Sequence, residues 1–296
     1  MTTDQLHIRN MTRAELNVLV EWAANEGWNT GLHDVEVFWA TDPDAFIAAE
    51  FNGKMIGGGS IVNYGGFCGF MGFFIIHPQF RGRGFGAQLW LARRERLIKR
   101  LQAPARIEMD GVFHMQSFYA KGGFKFLRRD LRFQGVATET MGNAVNPQAA
   151  CAGRSVVDLL AVAFDEVNQY DQSIFVAPRA EFLRRWISQP ACHALGIVEN
   201  RKLVGYSVAR ACRVGYKIGP LFANDPVIAN MLFESLLGRL PQQQVQIDVP
   251  ECNAPGLEMV KRRGLKEVFG CARMAFGAPL PRPQHNIFGV TTFELG

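Results

Sequence analysis

Apolar and polar positions alternate along the chain in a way that predicts strands and helices in an order that occurs twice. An apolar residue at every second position indicates a strand, and an apolar stripe with a period near 3.6 indicates a helix. For the first half these patterns predict strands at 6–9, 45–51, 54–63, 67–76, 105–110 and 124–136, helices at 12–25, 84–101 and 113–121, and a short helix or turn at 33–40. Antiparallel strands followed by a strand-helix-strand crossover are typical of an α+β domain with a mixed, mostly antiparallel sheet.

Two local signals mark where elements of the first half begin and end. Thr12, followed three residues later by Glu15, is the capping-box pattern of a helix N-terminus. Asn52-Gly53 separates two strand-like segments, and both residue types tolerate the positive φ of a tight hairpin turn. The chain is therefore expected to open with a capped helix and an antiparallel hairpin.

The second half repeats this order loosely, without close sequence similarity to the first. Its predicted elements are helices at 155–168, 179–188, 225–239 and 254–263, strands at 193–199, 203–210, 215–222 and 245–249, and a strand-like tail that ends near 295. The stretch between the halves is small and polar, with little periodicity, which favours a linker. We therefore predict two α+β domains, at 1–137 and 153–296, joined by a linker at 138–152.

Composition narrows the class of protein. With 48% hydrophobic and 20% charged residues in 296, the chain is typical of a globular protein with two cores. The net charge of +5 is scattered, and its densest group falls on the predicted helix at 84–101, so no nucleic-acid partner is expected. The six separated cysteines indicate reduced core residues. The longest apolar run is too short to span a membrane and no secretory signal is visible, so a cytoplasmic protein is expected. The spacing of the histidines predicts no metal site, and we expect a monomer or homodimer.

The most informative segment is a basic, glycine-rich turn between a buried strand and a long helix. It reads Arg81-Gly82-Arg83-Gly84-Phe85-Gly86. Glycines let a backbone pass close to an anion, and the amides at a helix N-terminus face that anion together. Because two arginines add positive charge, this turn favours a diphosphate over a neutral ligand.

Three other interpretations fit the sequence of this turn less well. A merely tight turn would not need both arginines. A dinucleotide fingerprint is formally present, since Gly82, Gly84 and Ala87 match G-x-G-x-x-A. However, a helix and an antiparallel hairpin come first, whereas that fingerprint normally follows the first strand of a parallel sheet. A nucleoside-triphosphate loop is excluded because no Gly-Lys-Ser/Thr follows.

The motif Arg81-x-x-Gly84-x-Gly86 resembles the pyrophosphate motif of the GNAT acetyltransferase superfamily. Downstream, the segment from Phe118-Tyr119 to Gly123-Phe124 is similar to a second motif of that family. The segment at 27–29, Asp34 and the stretch at 216–221 are also similar to bacterial tandem GNAT proteins. The resemblance thus extends over most of the chain and implies two tandem GNAT-like domains.

The resemblance implies an N-acetyltransferase that uses acetyl-CoA as donor and needs no metal. It implies that the backbone at Phe74, Ile75 and Ile76 pairs with the pantetheine arm, and that the amides of Arg81, Gly82, Arg83, Gly84, Phe85 and Gly86 hold the pyrophosphate. Tyr119 is expected to protonate the departing thiolate. Trp28, Asn29, Asp34 and Asp110 are candidate contacts to the acceptor, which could be a small-molecule amine, an amino acid or a lysine side chain.

Three departures from the family pattern qualify these expectations. The segment 68–76 carries no carboxylate, so the general base is open among Asp34, Glu108, Asp110, His77, His114 and a water relay to a distant carboxylate. An acceptor amine with a lowered pKa is the further alternative. Val112 stands where the family often has asparagine. In the second half Gly219-Pro220-Leu221 replaces the glycine turn, so that domain is expected to bind no cofactor. The missing carboxylate leaves a non-catalytic acyl-CoA sensor or regulatory module as the alternative.

Overall fold

The computed structural model describes residues 5–138 and 153–296, so the predicted linker lies, except for Thr138, outside the described residues. The chain forms two compact units. The first contains the described residues up to Leu127 together with Arg273–Pro279 and Phe293–Gly296, and the second contains Arg128–Ala272 and Leu280–Thr292. The division at 138–152 stays a prediction, and the structure adds that late segments of the chain belong to the first unit.

The first unit is a mixed sheet with helices. Its elements are β1 (Leu6–Asn10), α1 (Arg13–Asn25), α2 (Asp34–Thr41), β2 (Phe46–Phe51), β3 (Lys54–Tyr64), β4 (Cys68–Ile76), α3 (Phe85–Arg100), β5 (Ile107–Val112) and α4 (Gln116–Lys121). Strands β1 to β4 pair in sequence, each antiparallel to the next, and β5 pairs parallel to β4. The α+β fold with a mostly antiparallel mixed sheet is confirmed.

The second unit repeats the arrangement. Its elements are β6 (Lys125–Val136), β7 (Arg154–Asp158), α5 (Phe164–Phe175), α6 (Ala180–Ser188), β8 (Cys192–Glu199), β9 (Lys202–Ala211), β10 (Tyr216–Ala223), α7 (Pro226–Gly238), β11 (Gln244–Pro250), α8 (Ala254–Arg262), β12 (Lys266–Phe276) and β13 (Ile287–Gly289). Strand β6 belongs to this unit from Arg128 onward, and β12 belongs to it as far as Ala272. Strands β7 to β10 pair antiparallel, and β11 pairs parallel to β10. Helix α7 is buried along most of its length against this sheet.

Local signals in the sequence fix several of these boundaries. Thr12 accepts a hydrogen bond from the Glu15 amide at 3.2 Å while the Glu15 carboxylate accepts one from the Thr12 amide, so the capping box is confirmed. Asn52 and Gly53, at φ values of 50° and 74°, join β2 to β3 as the hairpin prediction required.

One predicted helix is wrong at its start. The segment from Arg154 to Asp158 is strand β7, which pairs antiparallel with β8, and the helix begins only at Phe164. Val156 and Val157 are β-branched and suit a strand, and the partner that completes it lies about forty residues later in the chain.

Candidate functional site

A cavity of about 410 Å³ opens in the first unit where β4 ends. Its wall comes from the end of α1, from β4, from the turn before α3, and from the segment between β5 and α4. The lining residues are Glu26, Trp28, Phe74, Ile75, Ile76, Phe80, Arg81, Gly82, Gly86, Val112, His114, Met115 and Tyr119. The fold therefore brings the predicted strand backbone, glycine turn and tyrosine to one place.

Strand β4 is irregular where it reaches the cavity. Gly58 pairs with Ile75 and Ser60 pairs with Gly72, so two β4 residues, Phe73 and Phe74, stand opposite one residue of β3. Phe73 has a φ of 50°, a left-handed conformation rare for a bulky residue. This β-bulge turns the backbone at Phe74 toward the cavity.

The other edge of β4 is also open. Strand β4 pairs with β5 only over 69–71, and the two strands have no further paired residues in the described register. The backbone at 74–76 therefore has amide and carbonyl groups available to an extended ligand that lies between the strands.

The glycine turn has the backbone geometry that an anion receptor needs. Gly82 and Gly84 have φ values of 77° and 78°, and an added Cβ at either position would meet no atom of the described residues within 4 Å. Glycine is therefore needed for conformation, and the space beside the turn is open. Gly84 is the N-cap of α3, and no side chain of the described residues caps this helix. Its first amides are available to an anion.

The two arginines of the turn are held in different ways. Arg81 donates from Nε to the Ile76 carbonyl at 2.8 Å, and its guanidinium pairs with the Glu26 carboxylate. The Arg83 guanidinium lies over aromatic rings, with Cζ 5.1 Å from the ring centre of Phe51 and 4.9 Å from that of Phe85. Both charges are therefore fixed beside the turn and remain exposed.

Tyr119 lies on α4 and is 4% exposed. Its ring packs on Gly111 of β5, where an added Cβ would lie 2.4 Å from Cε2 of the tyrosine. The ring centre is 6.5 Å from that of Phe74 and 6.3 Å from that of Trp90. Tyr119 and the bulge residue Phe74 thus line the same cavity.

Of the predicted acceptor contacts, Trp28 lines the cavity, whereas Asn29, Asp34 and Asp110 are not among its lining residues. The buried Asp34 carboxylate accepts a hydrogen bond from the Gly31 amide at 2.7 Å, which braces its own loop.

The two acids on β5 are likewise engaged within the unit. Asp110 receives two hydrogen bonds of 2.7 Å from Arg273, and Glu108 receives one of 3.1 Å from the same guanidinium. Glu108 and Asp110 share a strand face, as the period of two predicts. That face, however, carries an ion pair with a residue 163 positions later, which sequence reasoning could not anticipate.

Sequence reasoning missed Glu26, a carboxylate on the cavity wall. Glu26 is the C-cap of α1 and directly precedes the segment 27–29, which resembles tandem GNAT proteins. Its position next to that segment was the sequence feature that could have identified it. Of the two histidines considered, His114 lines the cavity, while the ring of His77 packs against Trp22 at 5.4 Å. Glu26 and His114 could each accept a proton at the site.

The equivalent turn in the second unit is built differently. Gly219 and Pro220 lie within β10, and α7 starts at Pro226, which has no amide hydrogen. The Asp225 side chain accepts from the Ile228 amide at 2.8 Å and pairs with Arg154 at 3.2 Å. The Asp225 carboxylate thus caps α7 and occupies the position that an anion would take.

Among the described residues, no group of three or more His, Cys, Asp or Glu side chains is arranged to hold a metal ion. Helices of the length and hydropathy needed to cross a bilayer are also absent from 5–138 and 153–296.

Comparison with known families matches both halves of the chain. The model of the acetyltransferase (GNAT) family matches residues 13–124, and that of the acetyltransferase (GNAT) domain matches residues 167–289. A relative of nearly full length is the holothin acyltransferase of Pseudoalteromonas sp. (strain SANK 73390), which is 29% identical over 95% of this chain and 92% of that protein.

Solved structures share the fold over the same extent. A putative acetyltransferase from Pyrococcus horikoshii superimposes with a TM-score of 0.79 at 20% identity, covering 100% of this chain and 98% of that one. A tandem GNAT protein from the clavulanic acid biosynthesis pathway gives 0.62 at 15% identity, covering 92% and 98%.

Proposed function

Because this chain belongs to the GNAT acetyltransferases, with two GNAT domains in tandem, we propose that its first domain binds acetyl-CoA and transfers the acetyl group directly to an amine. The observation that carries the proposal is the cavity, where the open backbone of β4, the glycine turn and Tyr119 meet. The family makes the chain an acyltransferase; the acetyl donor, the acceptor and the residue roles are what we propose.

The residues present fit a coenzyme A group. The β4 backbone at 74–76, which does not pair with β5, would hold the pantetheine arm, and an amide there would stabilise the oxyanion formed on the thioester carbonyl. The amides from Arg81 to Gly86 would hold the pyrophosphate at the uncapped start of α3. Arg81 and Arg83 add positive charge beside the turn.

Direct transfer needs one proton to leave the amine and one to reach the sulfur. The amine nitrogen forms a bond to the acyl carbon, the carbon–sulfur bond breaks, and Tyr119 donates its hydroxyl proton to the thiolate. A phenol of pKa about 10 facing a thiol of about 8.5 makes this a modest task for a positioned donor. Glu26 and His114 line the cavity and can accept the amine proton, directly or through water.

A small-molecule amine is the acceptor that the comparisons favour. The relative that matches this chain over most of its length is named for the acylation of holothin. The cavity lies within the 300–1,000 Å³ that is typical of small-molecule sites, and Trp28, Phe80 and Met115 give it apolar walls. Holothin and related small amines are therefore the acceptors to test first.

Thiol release from acetyl-CoA, followed with and without a panel of amines that includes holothin, tests the proposed function. We expect release that depends on an amine, and a non-catalytic sensor of acyl-CoA would show none. Calorimetry on the same protein reports acetyl-CoA binding separately, so a sensor and a protein that binds nothing are told apart.

Tyr119→Phe tests the proposed acid, because it keeps the packed ring and removes only the hydroxyl. Turnover should fall roughly 100-fold with little change in acetyl-CoA affinity. Tyr170→Phe is the matched control, since the Tyr170 hydroxyl bonds to Val204 and Asn224 in the second unit. Equal turnover in the two variants, measured where chemistry limits the rate, would assign Tyr119 to packing alone.

A further inference from the structure

Arg93 is a buried cation in the first unit whose charge no carboxylate of the described residues balances. It projects from α3, is 1% exposed, and donates from one terminal nitrogen to the carbonyls of Ser60 at 2.5 Å and Gly72 at 2.6 Å. Its Nε and its other terminal nitrogen are buried without a hydrogen-bond partner there. A buried charge with so few partners is costly, so it calls for an explanation.

The guanidinium lies at the β4 bulge. The two carbonyls that it holds belong to Ser60 and Gly72, the residues that pair immediately beside the bulge. An added Cβ at Gly59 would lie 2.2 Å from Cζ of the arginine, so the space that glycine leaves is filled by this group. Cζ also lies 5.4 Å from the ring centre of Phe74. Arg93 therefore sits behind the wall of the cavity that Phe74 and Tyr119 line.

Arg93 and Tyr119 lie near the same aromatic ring, because Cζ of Arg93 is 5.4 Å and the Tyr119 ring centre is 6.5 Å from the ring centre of Phe74. Burial lowers the pKa of Arg93 from 12.5 to about 9, and Tyr119 acts in the opposite direction by favouring the charged guanidinium. Arg93 thus remains a cation at neutral pH. By reciprocity, a cation that a phenolate stabilises must itself favour ionisation of that phenol.

We propose that Arg93 is a positioning residue for Tyr119, and that its buried charge stabilises the phenolate left when Tyr119 protonates the departing thiolate. This inference rests on the proposed function. In that step the carbon–sulfur bond breaks, the Tyr119 proton moves to sulfur, and the negative charge moves to the phenol oxygen. The phenol then regains a proton from solvent or from the amine. The same side chain fixes the bulge that presents Phe74, so one group supports both parts of the site.

Other charged groups lie near Tyr119. Glu108 and Asp110 are on β5, whose Gly111 packs against the Tyr119 ring, and both acids are bonded to Arg273. The titratable side chains on the cavity wall with Tyr119 are Glu26, Arg81 and His114, and the first two are paired with each other. Next to Arg93 on α3, Arg94 points to the Gly122 carbonyl and the Trp90 ring. The groups of β3 and β4 to which Arg93 donates are backbone carbonyls rather than charged side chains. The acids among these groups are held by arginines, so we expect the Tyr119 pKa to follow the charge at Arg93.

The test measures the ionisation of Tyr119 directly. The chain has five tyrosines, so labelling the ring carbon that bears the hydroxyl with ¹³C gives few signals, and the one lost in Tyr119→Phe identifies Tyr119. In Arg93→Gln, which keeps an N–H donor but loses the charge, we expect the Tyr119 pKa to rise by about one unit or more. Arg93→Lys, which keeps the charge, should restore most of that difference. Arg96→Met is the control, because this α3 arginine bonds to the Ile8 carbonyl, away from the cavity wall.

Turnover supplies a second readout. Arg93→Gln should lower kcat about 10-fold or more with acetyl-CoA affinity nearly unchanged, and should have little further effect when combined with Tyr119→Phe. An unchanged Tyr119 pKa in folded Arg93→Gln, or an equal loss of turnover in the Tyr119→Phe background, would overturn the proposal. If Arg93→Gln does not fold, Arg93→Met gives a second neutral variant. If Tyr119→Phe leaves turnover intact, the proposed acid role fails, whereas the effect of Arg93 on the tyrosine is still decided by the titration.

Discussion

The turn before α3 and the turn before α7 stand at equivalent places in two units of one fold, yet they satisfy the helix start in opposite ways. In the first unit Gly82 and Gly84 take positive φ, and the start of α3 has no side-chain cap among the described residues. In the second unit the Asp225 carboxylate caps α7, which begins with a proline. The amides at the start of α3 therefore remain available to a ligand, whereas at the start of α7 the protein's own side chain accepts the hydrogen bond.

The comparison teaches that function and stability compete for the same backbone groups. A capped helix start gains about 1 kcal/mol of stability, and an uncapped one keeps donors that an anion can use. Two domains of one fold can therefore differ in binding through a few residues at one turn. One acetyl-CoA per chain, bound by the first domain, follows as the expectation.

The largest effect should come from Gly84→Asp. Aspartate tolerates a positive φ better than most residues, so the variant should fold, but its carboxylate would stand where the pyrophosphate is expected. Losing two phosphate hydrogen bonds at about 1.5 to 3 kcal/mol each would weaken acetyl-CoA binding by two orders of magnitude or more. Calorimetry should report a stoichiometry near one for the parent chain and no measurable binding for the variant.

Gly264→Asp is the matched control for that experiment. Gly264 lies in the second unit with a φ of 74°, and an added Cβ there would also meet nothing within 4 Å. Gly264→Asp therefore introduces the same backbone strain at a position where no pyrophosphate is expected to bind. Binding lost in both variants would trace the effect to folding, and a stoichiometry near two in the parent chain would reveal a cofactor site in the second domain.

A smaller effect, on stability instead of binding, is expected at the turn before α7. Asp225→Ala removes the cap of α7 and the contact to Arg154, so the free energy of unfolding should fall by about 1 kcal/mol. Acetyl-CoA affinity should not change. Asp225→Ser, which can still cap the helix, should recover part of the loss in urea denaturation. Weaker acetyl-CoA binding in Asp225→Ala would contradict the division of roles between the turns.

The smallest effect concerns the opening helices of the two units. Helix α1 is capped by Thr12 and Glu15, whereas α5 begins after Ala163 with no side-chain cap from the described part of the chain. The hydrogen bond from Arg9 and the Thr12 amide lower the pKa of Glu15 from 4.5 to about 2. A carboxyl with a lowered pKa adds stability above its unfolded value, and that stability is lost as the pH falls from about 4.5 toward 2.

Urea denaturation of the parent chain and Glu15→Gln at pH 7, 4.5 and 3 measures this contribution. Because Arg9 is more than a third exposed, solvent screens the pair, and we expect a difference of no more than about 1 kcal/mol at pH 7. The difference should shrink at pH 3. A constant difference across the range would mean that Glu15 acts through packing or hydrogen bonding alone.

The sequence by itself determined the features that depend on neighbouring residues. The conformations of Gly82 and Gly84, the Thr12–Glu15 cap and the Asn52-Gly53 hairpin are set by the φ preferences and side-chain reach of residues within a few positions. The motif that makes Tyr119 a candidate is also local. Hydrophobic periodicity predicted most elements, and it failed at 155–158, where pairing with β8 decides the structure.

Only the tertiary structure decided which groups meet across the chain. It placed Glu26 beside Arg81, engaged Asp110 with Arg273, and buried Arg93, although its sequence neighbourhood resembles an exposed basic helix face. It also assigned Phe293–Gly296 to the first unit. The physical reason is that such contacts depend on strand register and helix packing between distant segments. Their energies come from burial and charge pairing, which no local pattern of residues records.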